Sequence, residues 1–169
     1  FVMVGHLTDN QISNDDGVSW SATDELLTDE QYSCHAGAIN GTPFVWIFGT
    51  LNQFQYSTDG ASWTKGATQL NNPVVVATIV SVDGTDTIFI ADTAGKVAKS
   101  TDGITFQLMD ATLNGEPTSI ATDGALFLVA ALTDGTLDVS NNYGESWTLI
   151  TNGIPEGDFT TTGGFYGLD

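Results

Sequence analysis

Ser13-Asn14-Asp15-Asp16-Gly17-Val18-Ser19-Trp20 is the stretch that decides the reading of this chain, because it returns three times. The later copies are Ser57-Thr58-Asp59-Gly60-Ala61-Ser62-Trp63, Ser100-Thr101-Asp102-Gly103-Ile104-Thr105-Phe106 and Ser140-Asn141-Asn142-Tyr143-Gly144-Glu145-Ser146-Trp147. They recur about every 42 residues, and a steady period of that size marks a propeller or similar array in which each unit is one small sheet.

Working outward from the copies, the pattern is strand, polar turn, strand. An apolar residue precedes the leading serine at Ile12, Tyr56 and Val139, with Lys99 in that place in the third copy, and an aromatic closes each copy. That is a hairpin signal. Before the second copy, 33–39 reads as a strand, Asn40-Gly41 as a two-residue turn and 44–48 as a buried strand. The third unit repeats this with 74–82, Asp83-Gly84 and 87–91, and the fourth with 118–122, Asp123-Gly124 and 126–131. Each full unit thus has four strands, and no stretch has the period of an amphipathic helix. The acidic stretch 24–31 reads as a connecting loop.

The expected fold is all-β: a β-propeller of about four four-stranded blades, either a closed four-bladed ring or part of a larger propeller. One domain covers 1–169, with units at about 1–31, 32–72, 73–115 and 116–157. Residues 1–4 align with the second strand of a unit. The tail 158–169 reads as a first strand plus turn and is expected to complete the first blade, which would hide the sheet edges. The chain opens on Phe1, as expected of one processed or excised from something longer, and it shows no signal peptide.

The motif resembles the Asp-box, or bacterial neuraminidase repeat, with pattern Ser/Thr-x-Asp-x-Gly-x-Thr-Trp/Phe. The copy at 13–20 matches at full length with Ser19 in the Thr position. The copy at 140–147 carries Asn142 in the Asp position, and the copies at Ser57 and Ser100 are one residue shorter. Each position has a structural job. Asp15, Asp59, Asp102 and Asn142 are expected to accept backbone N–H bonds inside the turn, with Ser13, Ser57, Ser100 and Ser140 leading it. Gly17, Gly60, Gly103 and Gly144 are expected at positive φ. Trp20, Trp63, Phe106 and Trp147 are expected to pack between blades. In the family these boxes lie on the periphery, away from catalysis, so the resemblance implies a fold marker. One carboxylate per turn is also too few for a calcium cage of six to eight oxygens.

Composition narrows the function. There are 21 acidic residues against three lysines, Lys65, Lys96 and Lys99, for a net charge of −18, and there is no arginine. Nucleic-acid binding needs several cations to release counterions from phosphates, so it is excluded, and so is attraction to an anionic membrane surface. No apolar run reaches the roughly 18 residues a spanning helix needs. Sialidases clamp the substrate carboxylate with three arginines, so that activity is excluded as well. An assembly factor of the cellular Asp-box kind would be expected to carry a basic patch, which three lysines do not provide.

The remaining chemistry is sparse. Glu25, Glu30, Glu116, Glu145 and Glu156 sit in loops or turns without a pattern that singles out a glycosidase pair. His6 and His35 are the two histidines, and His35 adjoins the lone Cys34, but neighbours on a strand point to opposite faces. No metal or other cofactor is expected. Trp46 reads as core. Tyr143, at a hairpin tip, reads as an exposed platform that can stack on a sugar. The expected function is non-enzymatic: a structural or adhesive module of an extracellular assembly, resembling the Asp-box proteins of bacteriophage tails, fibres and other virion parts. Its expected partners are other protein subunits, with a cell-surface glycan as a further candidate. The alternatives are a secreted carbohydrate-binding propeller and a glycoside hydrolase.

Overall fold

The computed structural model describes residues 2, 3, 11–13, 15, 17–22, 30–124 and 126–152, and these contain strands and turns with no helix. A first sheet holds β1 (Val2–Met3), β2 (Gln11–Ile12) and β3 (Ser21–Ala22). A second holds β4 (Gln31–Ile39), β5 (Thr42–Gly49), β6 (Gln53–Ser57) and β7 (Thr64–Ala67). The third holds β8 (Val74–Val82), β9 (Thr85–Asp92), β10 (Lys96–Ser100) and β11 (Gln107–Thr112). The fourth holds β12 (Pro117–Thr122), β13 (Leu128–Leu132), β14 (Leu137–Ser140) and β15 (Thr148–Ile150). Every sheet is an antiparallel meander in chain order, the architecture of propeller blades. The tail expected to complete the first blade, the loop 24–29, His6, Glu25 and Glu156 lie outside the described residues.

Local chemistry sets the hairpins. Asn40 and Gly41 have φ of 50° and 80°, and Asp83 and Gly84 have 51° and 76°. Two successive left-handed residues make the turn whose twist matches an antiparallel pair, and Asx-Gly tolerates it best. The fourth sheet departs from the expectation. Its buried strand starts at Leu128, not Leu126, and Leu126 and Phe127 are 49% and 39% exposed. The loop there closes on Asp123, whose carboxylate accepts the Phe127 N–H at 3.3 Å, while the Leu126 carbonyl accepts the Tyr143 N–H at 3.0 Å. The Asp123 N–H donates to the Phe127 carbonyl at 3.4 Å, carrying the pairing one step past the strand.

The second, third and fourth sheets pack face to face in turn. Phe44, Trp46 and Phe48 of β5, with Phe54 of β6, form one core with Ile88, Ile90, Ala98 and Phe106 of the third sheet. Val76, Val80, Phe89, Ala91 and Val97 form the next with Leu128, Ala130 and Leu132 of the fourth. Burying each large aromatic stabilises by about 2–3 kcal/mol, and Phe54 and Phe106 add an edge-to-face contact at 5.3 Å. Two buried carboxylates fix the linkers between blades. Asp92 accepts the Asn72 amide at 3.1 Å and the backbone N–H groups of Ala94 and Lys96 at 2.9 Å. Asp138 accepts the Asn114 backbone N–H at 2.6 Å and its side-chain amide at 2.7 Å.

Candidate functional site

The four repeated turns share one hydrogen-bond pattern. The leading serine is nearly fully buried in every copy and its hydroxyl donates to the Asx side chain: Ser13 to Asp15 at 2.8 Å, Ser57 to Asp59 at 3.0 Å, Ser100 to Asp102 at 2.7 Å, Ser140 to Asn142 at 2.9 Å. The same serine oxygen accepts the N–H of the motif glycine, at 2.7 Å for Gly17, 2.8 Å for Gly60 and 2.9 Å for Gly103 and Gly144. Those glycines have φ of 85°, 72°, 72° and 76°. The Asx oxygen then accepts the N–H of Ser19, Ser62, Thr105 or Ser146. Asn142 holds its turn as the aspartates do because the shared contact needs one acceptor oxygen, not a charge.

These bonds set the acidity of the turn aspartates. The Ser19 hydroxyl and amide, with Ser13, hold the Asp15 carboxyl down to about 2. The amides of Ser62 and Ala61, with the Ser57 hydroxyl, do the same for Asp59, also to about 2. Partial burial opposes ionisation of Asp102, but the amides of Thr105 and Ile104 and the Ser100 hydroxyl outweigh it and leave it at about 2. A carboxylate this acidic, with its lone pairs occupied, has no proton to donate near neutral pH and is a weak base. Among the described residues no three His, Cys, Asp or Glu side chains gather as a metal cluster.

The closing aromatics diverge from the expectation that all pack between blades. Phe106 is 1% exposed, but Trp20 is 39% exposed and its indole N–H donates to the Gly17 carbonyl of its own turn at 3.1 Å. Trp147 packs at the margin of the second core, and Trp63 is half-buried. Burial here depends on the neighbouring blade, not on the motif. Tyr143 is also corrected. It is no free platform: its ring meets Phe89 edge to face at 4.9 Å, and the Lys99 ammonium lies 5.4 Å from its centre. Trp46 is fully buried and its indole N–H donates to the Gly103 carbonyl at 2.8 Å.

Other polar groups also serve packing. Lys99 pairs with Glu145 across blades at 3.1 Å, and the Tyr32 hydroxyl donates to Glu30 at 3.1 Å. Burial pushes the Cys34 thiol up to about 11 and holds the His35 imidazole down to about 4. His35 lines a cavity of about 160 Å³ between β4 and β8, with Trp46, Thr78, Ile79 and Ile88, room for a few waters. Sequence reasoning did not single out Asp92 and Asp138. Asp92 had a local signal, the glycine three residues on, as in an Asx turn. Asp138 had none, because its partner Asn114 is 24 residues away.

Comparison with solved structures places this geometry among β-propellers. An ancestral GH74 enzyme superposes with a TM-score of 0.69 at 16% identity, over 90% of this chain and 22% of that one. YCF48 from Cyanidioschyzon merolae gives 0.62 at 17%, over 88% and 55%. BBS1N, solved in complex with ARL6DN, gives 0.61 at 16%, over 88% and 55%. The chain therefore spans between about a fifth and about half of these proteins, and identities this low carry the fold alone. No protein-family model matches the chain, nor does any curated protein.

Proposed function

We propose that the chain is a non-enzymatic structural or adhesive module of an extracellular assembly, and specifically a virion component of the bacteriophage tail, fibre or capsid-decoration kind. One observation carries the reading. In all four turns the Asx side chains are engaged by the chain's own hydroxyls and amides, and the third and fourth turns are seated on the preceding blade. The polar residues of the repeated motif are thus occupied in holding their own turns. The virion setting rests on the Asp-box resemblance of the turns and on a composition almost without lysine. Its partners are other protein subunits, a role for which propellers are used elsewhere, as in the BBS1N complex with ARL6DN.

Two measurements test this. Purified protein incubated with β-glucans and sialylated glycans should release no sugar, and release abolished by one carboxylate substitution would overturn the reading. Mass spectrometry of purified extracellular particles from the source culture should find the chain in fixed stoichiometry with other virion proteins. The lectin-like alternative relies on exposed aromatics such as Tyr32, 47% exposed. Glycan-array binding lost on Tyr32→Ala would favour it instead.

A further inference from the structure

An asparagine followed by glycine is chemically labile. The glycine backbone nitrogen, unhindered by a side chain, loses its proton and attacks the asparagine Cγ. A C–N bond forms and the side-chain nitrogen leaves as ammonia. Water then opens the resulting succinimide to an aspartyl or isoaspartyl residue. The sequence has such pairs at Asn40-Gly41, Asn114-Gly115 and Asn152-Gly153, and the last runs outside the described residues. The first two differ in what holds the asparagine. Asn114 is held by the fully buried Asp138, which accepts its backbone N–H at 2.6 Å and its side-chain amide at 2.7 Å.

Asn40 stands on the exposed turn between β4 and β5 and is held by the third sheet. Its backbone N–H donates to Asp86 Oδ2 at 2.7 Å, its Oδ1 accepts the Asp86 N–H at 3.1 Å, and its Nδ2 donates to the Thr101 carbonyl at 3.2 Å. All three bonds are open to water. One residue thus ties the second sheet to two parts of the third, β9 and the repeated turn 100–106. That turn is also the one whose Gly103 carbonyl accepts the Trp46 indole N–H, at 2.8 Å.

The clamp bears on both ends of the reaction. Cyclisation needs the Asn40 Cγ to swing onto the Gly41 nitrogen, and it cannot do so while Oδ1 and Nδ2 are both engaged, so the clamp must open first. Afterwards the Nδ2 donor is gone. A new carboxylate faces the Thr101 carbonyl and shares the clamp with the Asp86 carboxylate, in a chain already at −18, and like charges so close disfavour each other. An isoaspartyl product also adds a methylene to a two-residue turn with φ of 50° and 80°, whose twist suits the strand pair only at its native length.

We propose that Asn40 is a spontaneous modification site, its deamidation gated by the clamp to Asp86 and Thr101 and, once complete, releasing the second sheet's turn from the third sheet. The change runs one way and consumes only water. It goes beyond the assembly reading and does not depend on it, so its failure leaves that reading where it stands.

Peptide mapping by mass spectrometry, on folded protein kept in mildly alkaline buffer, follows each pair separately. Asn40 should convert faster than Asn114, whose clamp is buried. Asp86→Ala, which removes the carboxylate from the clamp, should speed conversion at Asn40 about tenfold, the worth of one such bond, and leave Asn114 unchanged. Asn40→Asp, which reproduces the aspartyl product, should lower Tm by roughly 2–6 °C and quicken amide exchange in 100–106. Exchanging the pair, Asn40→Asp with Asp86→Asn, returns an amide to the clamp and should restore most of that loss. Circular dichroism checks that Asp86→Ala is folded, and the Asn40→Asp comparison does not rely on it. Asn40 converting no faster than Asn114, a rate unmoved by Asp86→Ala, an Asn40→Asp protein as stable as the wild type, or an exchanged pair that fails to recover would each overturn the proposal.

Discussion

Replacing Gly103 with alanine should destabilise the protein far more than replacing Gly84, although both glycines are left-handed, with φ of 72° and 76°. Alanine in that conformation costs roughly 1–2 kcal/mol at either site. At Gly84 nothing lies within 4 Å of the new methyl, so the cost ends there. At Gly103 the methyl would meet Trp46 Cζ2 at 3.1 Å and the Phe44 ring at 3.2 Å. Trp46 cannot readily retreat, since it is fully buried, stacked on Phe44 at 5.0 Å and bonded to the Gly103 carbonyl. Overpacking of this kind adds about 1–3 kcal/mol, for a total of about 2–5 kcal/mol. In a chain of this size that is a fall in Tm of roughly 4–20 °C, against about 2–8 °C for Gly84→Ala. Urea unfolding followed by tryptophan fluorescence, with matched thermal scans, measures both. Equal losses would refute the claim that the turn is a close-packed knob and reduce it to an ordinary reverse turn.

Three other outcomes are expected. Asp102→Ala should cost about 1–3 kcal/mol through its stranded amides, and Asp102→Asn clearly less, since Asn142 holds the same turn in the fourth copy; equal losses by urea unfolding would contradict the shared-acceptor account. Stability should fall with acid in two windows. His35 binds its proton less readily folded, near 4, than unfolded, near 6.5, so its contribution is full above 6.5 and is lost as pH falls toward 4; the first decline should be absent in His35→Leu. Asp15, Asp59 and Asp102, held near 2 against an ordinary 3.8, contribute above that ordinary value and lose their contribution between about 4 and 2. Finally, added salt should raise Tm by screening the −18 charge, and a Tm flat from about 0.02 to 0.5 M NaCl would count against self-repulsion.

The sequence by itself determined the repeat, the hairpin turns at Asn40-Gly41 and Asp83-Gly84, and the roles of Asx and Gly in each repeated turn. Those are local demands: a side chain bonding backbone no more than four residues away, and a φ that glycine adopts without strain. The apolar runs 44–48 and 87–91 likewise marked the buried strands β5 and β9. What only the tertiary structure decided is everything that depends on the next blade. Trp20 and Phe106 hold the same motif position, yet one is open and the other sealed. Tyr143 looked like a free tip and is packed on Phe89. Leu126 and Phe127 read as buried strand but lie exposed on a loop. Asp138 is buried against an asparagine that no local pattern connects to it. Burial is a property of two surfaces meeting, and a repeat that specifies each surface in nearly the same residues leaves to the packing which of them are covered.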